Sequence, residues 1–455
     1  MHSLIRIGNA QAFWGDGADA PARLLTQQAD LDYLTLDYLA EVSLSILAIQ
    51  KDRDPSAGYA RDFVEVVRSL IPLWKKGAKV RVVANAGGLN PEGCARACLE
   101  VLKNGGCGHL KIGMVTGDDV LPQLKQNDSG KSFNNLETGE PLAGVSDHLV
   151  TANAYLGARP IAETLKAGAN IVITGRVADP SLTVAPCMAH FGWSWDDYHR
   201  IAGATVAGHL IECGTQVTGG ISTDWLRLPN IHNIGFPVVE VRTDGSCVVT
   251  KPPRTGGSVN ARTVKEQLLY EIGDPGNYLS PDATVSFLTL SVREEGKNRV
   301  LVEGATGRPP PAGYKISATW RDGFKAHGSL TIFGRNAVKK ARLCGEIILQ
   351  RLRSAGCKPE RSLIECLGAG ASVQGIKGKI PESEFLETVL RVSVADPRRE
   401  VVERFSKELA SLVTCGPQGV TGYAAGRPKV QPVFGYWPCL IGKQHVKPEM
   451  KILDA

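Results

Sequence analysis

The sequence carries 11 cysteines but no C-x-x-C pair and no framework spacing. That excludes the common zinc-ribbon and disulfide-scaffold readings. The apolar settings of Cys98, Cys344 and Cys366 are those of reduced core thiols. No apolar run approaches the roughly eighteen residues that a membrane span needs, and strand-like sequence starts by Leu4, which leaves no room for a signal peptide. A cytoplasmic protein with no membrane partner is expected. Charge of one sign is scarce as well: 52 Lys and Arg stand against 46 Asp and Glu, and the basic residues come in ones and twos, as at Lys75-Lys76 and Lys339-Lys340. A solvated surface accounts for that pattern, and nucleic-acid binding is not expected. Neither a full G-x-G-x-x-G nor a Walker lysine motif is present, which disfavours a nicotinamide oxidoreductase.

What is present is enough apolar sequence, 43% of 455 residues, for two or three cores. Up to residue 230, short β-branched runs alternate with longer amphipathic segments, the pattern of an α/β lobe with a parallel sheet and flanking helices. Strands are expected at 5–7, 33–37, 80–84, 111–116, 148–152 and 171–174, and helices at 18–28, 39–50, 59–76, 91–104, 161–167, 181–190 and 195–213. Residues 231–455 read as a second, smaller antiparallel α+β lobe. Helices 337–354 and 397–414 fall in it, and its Gly/Pro-rich tail at 417–446 has little periodicity.

The segment AGHLIECGTQVTGG sets His209, Glu212 and Cys213 at i, i+3 and i+4, so the three side chains can meet on one helix face. Such a trio serves as an acid/base or nucleophilic site, as a plain structural face, or as part of a metal site. The last ranks lowest, because no further ligand follows at a recognisable zinc spacing. About thirty residues earlier, IVITGRVADP ends a β-branched run at Arg176, suited either to a substrate carboxylate or phosphate or to a salt bridge with Asp179. NAGGLNPEG follows a strand and opens a helix. Its Asn85, Gly87, Gly88 and Asn90 suit either an anion held by backbone N–H groups or a tight βα turn. Asp37, Asn85, Asp118, Asn153 and Arg176 all stand at carboxyl ends of expected strands, where a parallel sheet forms its ligand crevice. The glycine-rich run 368–372 is followed by a poor helix and is weak as a dinucleotide loop.

Taken in order, IRIGNAQAFWGDGADA, LDYLTLDYLAE, NAGGLNPEG, MVTGDD, GANIVITGRVADPSLTVAPCMAHFGW, AGHLIECGTQVTGG, GFPVVEV, TVKEQLLYEIGDP and LVTCGPQGVTGYAAGRP resemble the acyclic terpene utilisation AtuA family over nearly the whole chain. The resemblance implies a role in bacterial degradation of citronellol- and geraniol-type terpenes as CoA thioesters. It also implies a small ferredoxin-like domain, fused or separate. With the sequence ending at Ala455, a partner is expected to supply that domain if it is needed.

These observations lead to an expected enzyme of acyclic terpene or branched-chain acyl catabolism, with lyase, hydratase or isomerase chemistry on an acyl-CoA or carboxylate. Glu212 and His209 would act as base and acid, with Cys213 and Asp37 assisting. Arg176, Asn85, Gly87, Gly88, Asn90, Asp118 and Asn153 would bind substrate. No metal ligands, tightly bound metal or nicotinamide are expected, and a homo-oligomer is. The rival reading is a non-catalytic subunit that binds an acyl ligand or assembles a partner enzyme.

Overall fold

The computed structural model describes residues 4–41, 43–126, 133–371 and 381–454. Ser372 of the second glycine-rich run and most of the segment that follows it lie outside them. The chain divides into two compact units, Met1–Thr319 with Tyr436–Ala455, and Trp320–Gly435. Residue 230, where the sequence reading set a lobe boundary, falls inside the first unit.

That unit begins with the expected alternation: β1 (Leu4–Asn9), α1 (Ala20–Gln27), β2 (Tyr33–Leu36), α2 (Ser43–Arg53), α3 (Asp62–Lys75), β3 (Arg81–Ala84), α4 (Pro91–Asn104) and β4 (Ile112–Thr116). It continues through α5 (Leu121–Gln126), β5 (Leu149–Ala154), α6 (Arg159–Lys166), β6 (Ile171–Thr174), α7 (Ser181–Phe191) and α8 (Tyr198–Glu212). Then come β7 (Val238–Arg242), β8 (Cys247–Thr250) and α9 (Ala261–Leu269). Local chemistry sets several ends. Pro91 opens α4 behind an Asn90 side chain that accepts the Gly93 N–H at 2.9 Å, and left-handed Gly192 closes α7.

Strands β1, β2, β3, β6 and β4 lie side by side and parallel, as the β-branched runs require. The sheet is nevertheless mixed, which corrects the expectation of a simple parallel N-terminal sheet. β7 pairs antiparallel with β1, and β8, Arg299–Glu303 and Ser291–Gly296 extend that edge. Glu449–Leu453 pairs antiparallel with β4 on the other edge, giving ten strands in all. Strands read as a separate antiparallel lobe thus complete the first sheet, because edge strands of such a sheet need only a hairpin to join it. β5 is not part of it. The tail, read as aperiodic, includes the strand Gln431–Gly442.

One face of the sheet packs Leu34, Leu36 and Val82 against Phe63, Val66 and Leu70 of α3 and Cys94, Cys98 and Leu102 of α4. Helix α8 is buried from Ile201 to Ile211, and its small residues let backbones approach closely. A Cβ on Gly203 would fall 2.2 Å from the Gly245 carbonyl, and one on Gly208 2.8 Å from Pro180 Cα. The second contact brings the carboxyl end of α8 against the turn that carries Asp179. The second unit pairs Arg361–Leu367 and residues 324–333 on either side of Glu387–Asp396, all antiparallel, with helices Ala337–Ser354 and Arg399–Cys415 packed on them. No helix among the described residues is long and apolar enough to cross a membrane.

Candidate active site

The carboxyl end of α8 is fixed from below by Asn9, the last residue of β1. Its Nδ2 donates to the Ile211 carbonyl at 2.7 Å and to that of Glu212 at 3.2 Å, while its Oδ1 accepts the Gln11 N–H. Gly214, in the left-handed region, ends the helix where a Cβ would strike Ala12. These contacts hold the trio in place.

His209 and Glu212 meet as their spacing predicts, with Nδ1 and Oε1 2.9 Å apart. His209 Nε2 lies 2.8 Å from the backbone carbonyl of Gln267, an obligate acceptor, so Nε2 carries a hydrogen in every protonation state. One further proton is therefore shared between Nδ1 and Oε1. Burial pushes the Glu212 carboxyl up to about 7 against the pull of His209. Burial alone would lower His209, but the charge and hydrogen bond of Glu212 outweigh it and raise the imidazole. The pair thus keeps its proton to near neutrality. Glu212 Oε2 has no hydrogen-bond partner.

Cys213 lines the same cavity, but its thiol is pushed far up by burial and by the Glu212 charge. Burial thus favours the neutral thiol over a nucleophilic thiolate.

The cavity, about 430 Å³, is also lined by Asp37, Glu41, Asp179 and Glu271. Asp37 Oδ1 accepts Asn85 Nδ2 at 2.6 Å and the Leu39 N–H at 3.2 Å. Burial, and then Asp179, raise its carboxyl well above the carboxylate range. Burial also pushes Glu41 up, but its backbone hydrogen bond, Arg176 and Lys315 outweigh that and hold it ionised. Asn85 is fully buried and its Oδ1 accepts the Tyr38 N–H at 2.6 Å, so it touches Asp37, not a ligand, and is a positioning residue. Asn85→Ala should cost about 1–3 kcal/mol in urea denaturation, by orphaning the Tyr38 N–H and leaving Asp37 Oδ1 only the longer bond from Leu39.

Arg176 is 1% exposed. Its Nη1 donates to the Leu39 carbonyl at 2.6 Å and lies 3.0 Å from Asp179 Oδ1, and the guanidinium sits 4.1 Å from the centre of the Tyr155 ring. The salt bridge to Asp179 is therefore formed, while the buried Nε of Arg176 has no hydrogen-bond partner.

The glycine turn is likewise turned inward. The N–H groups of Gly87, Gly88, Leu89 and Asn90 donate to the carbonyls of Thr174, Asn85, Gly58 and Gly87. Asn90 Nδ2 reaches the Ser56 and Ala57 carbonyls. The turn is a close-packed βα connection, since a Cβ on Gly88 would lie 2.3 Å from Leu47 Cδ1. It is not an anion cradle.

Asp118 and Asn153 line a different cavity of about 290 Å³, together with Gly88. Asp118 Oδ2 accepts Asn153 Nδ2 and the Arg176 N–H, both at 2.8 Å, and burial raises its carboxyl to about 6. The strand-end residues accordingly gather around Arg176 but divide between two cavities. Among the described residues, no group of three or more His, Cys, Asp or Glu side chains is arranged to hold a metal ion. Asn9, Gln267 and Glu271 escaped the sequence reading. Only Asn9 carried a signal, as a polar residue ending a strand.

A mixed α/β fold with a buried carboxylate–imidazole pair at the end of a central helix defines the class. The family model described as acyclic terpene utilisation family protein AtuA matches residues 5–452, and the chain belongs to that family. No curated protein and no solved structure matches it.

Proposed function

We propose that the chain is an acid–base enzyme of acyclic terpene or branched-chain acyl catabolism, of lyase, hydratase or isomerase type, in which Glu212 and His209 move one proton together. The supporting observation is the hydrogen-bonding of His209: with Nε2 committed to the Gln267 carbonyl, any proton the pair gains or loses lies between Nδ1 and the Glu212 carboxyl. Loaded, the pair is an acid. Emptied, above about pH 7, it is a base suited to a carbon beside a thioester carbonyl. Asp37, kept neutral by burial, is a hydrogen-bond donor for the oxyanion that such a step develops.

Hydration of an alkene, and protonation of the carbanion in a lyase or isomerase step, each use a proton that the Glu212–His209 pair can draw from solvent. Purified protein incubated in D2O with acyclic C10 acyl-CoA thioesters should therefore place deuterium in the acyl chain, read by mass spectrometry. Saturable binding of these thioesters without exchange would instead favour a non-catalytic acyl-binding subunit.

A further inference from the structure

The cavity beside Glu212 contains Asp16, Asp37, Glu41, Asp179, Glu212 and Glu271 and no lysine or arginine. Arg176, which acts on Asp37 and Glu41, is already paired with Asp179. An anion entering here would meet several acids and no free counter-charge, at distances where such repulsion is only partly screened. Next to it lies a cavity of about 360 Å³ that shares Glu41 and Asp179 and is otherwise largely apolar, with Leu136, Tyr155, Pro180, Tyr278, Tyr314 and Leu440 on its walls. Tyr278 is also the aromatic neighbour of His209, with ring centres 6.0 Å apart, so this wall passes directly behind the proton-carrying pair.

We infer that the substrate presents an uncharged end to Glu212 and lays its hydrocarbon body in the adjoining tyrosine-lined cavity, so that a free carboxylate or phosphate is rejected at the reacting end. The inference rests on the proton-transfer reading only in naming Glu212 as the reacting end. A thioester, alcohol or alkene satisfies it, and a free acid does not. The single lysine of the second cavity, Lys315, is exposed and lies 5.2 Å from the Tyr155 ring centre. It does not line the acidic cavity, and acts there only on Glu41 and Asp179 at the shared wall.

Isothermal titration calorimetry on the full chain tests this with an acyclic C10 terpene alcohol and the carboxylate of the same carbon skeleton. At pH 8 the alcohol should bind at least ten-fold tighter, and the gap should narrow toward pH 5 as the ligand's own carboxylate takes up its proton. Leu440→Trp, at a half-exposed position on the hydrocarbon wall, should weaken the alcohol at least ten-fold with the thermal midpoint unchanged. Glu212→Gln should still bind it. Equal or tighter binding of the carboxylate, no saturable heat with either compound, or alcohol binding indifferent to Leu440→Trp would each overturn the inference. Because binding needs no turnover, normal binding without deuterium exchange would count against the proposed function alone.

Discussion

Glu212→Gln is expected to slow turnover by about 10² to 10⁴ while leaving ligand affinity nearly intact, because it removes the proton-carrying oxygen and preserves the side chain's shape. Stability should report the same change through its pH dependence. In the native chain Glu212 titrates near 7 against an ordinary 4.5, so between those values the folded state holds the proton more tightly than the unfolded state. The stabilisation is complete below about pH 4.5 and is lost as pH rises through about 7. In the variant, His209 loses the largest influence that raises it and keeps the burial that lowers it, with only the Gln267 carbonyl and Glu271 still raising it. The loss of stability that wild type shows as pH rises through about 7 should therefore be diminished in the variant. Wild type and variant should differ in slope in urea denaturation between pH 5 and 7. Parallel slopes with full turnover would remove the helix from the mechanism. His209→Ala should follow Glu212→Gln in turnover, since it leaves Glu212 without the imidazole that shares its proton.

The parts of this molecule governed by local period were legible in the sequence. Strands β1 to β6 and the helices between them other than α5 appear where the alternation of β-branched and amphipathic runs puts them, and the i, i+3 pairing of His209 with Glu212 is a matter of helix geometry alone. What depends on distant partners was not. Nothing in residues 238–250 distinguishes a separate antiparallel lobe from an edge added to β1, because both need the same hairpins. Asn85 and the glycine turn have the composition of a ligand loop. Only in the folded chain are their polar groups spent on Asp37, Tyr38 and neighbouring carbonyls. The commitment of His209 Nε2 to Gln267 spans 58 residues and leaves no periodic trace.

Arg176→Met separates the two readings that the sequence left open for this residue. With the guanidinium fully buried between the Leu39 carbonyl, Asp179 and the Tyr155 ring, its loss leaves the carbonyl unpaired and strands Asp179 without the cation that opposes its burial. Removing one partner of a fully buried pair costs about 3–5 kcal/mol, but Asp179 is 35% exposed and partly screened by water, so the expected loss in urea denaturation at pH 8 is about 1–3 kcal/mol. The loss should shrink toward pH 5. The Asp179 carboxyl is already raised and rises further without Arg176, so the folded variant gains stability from a proton that the unfolded chain binds only at lower pH. Arg176→Lys keeps the charge but cannot reach the carbonyl and the carboxylate together while covering the Tyr155 ring, so it should fall between the two. A substrate clamp would behave differently: Arg176→Met would then keep the wild-type midpoint and weaken ligand binding alone, at every pH.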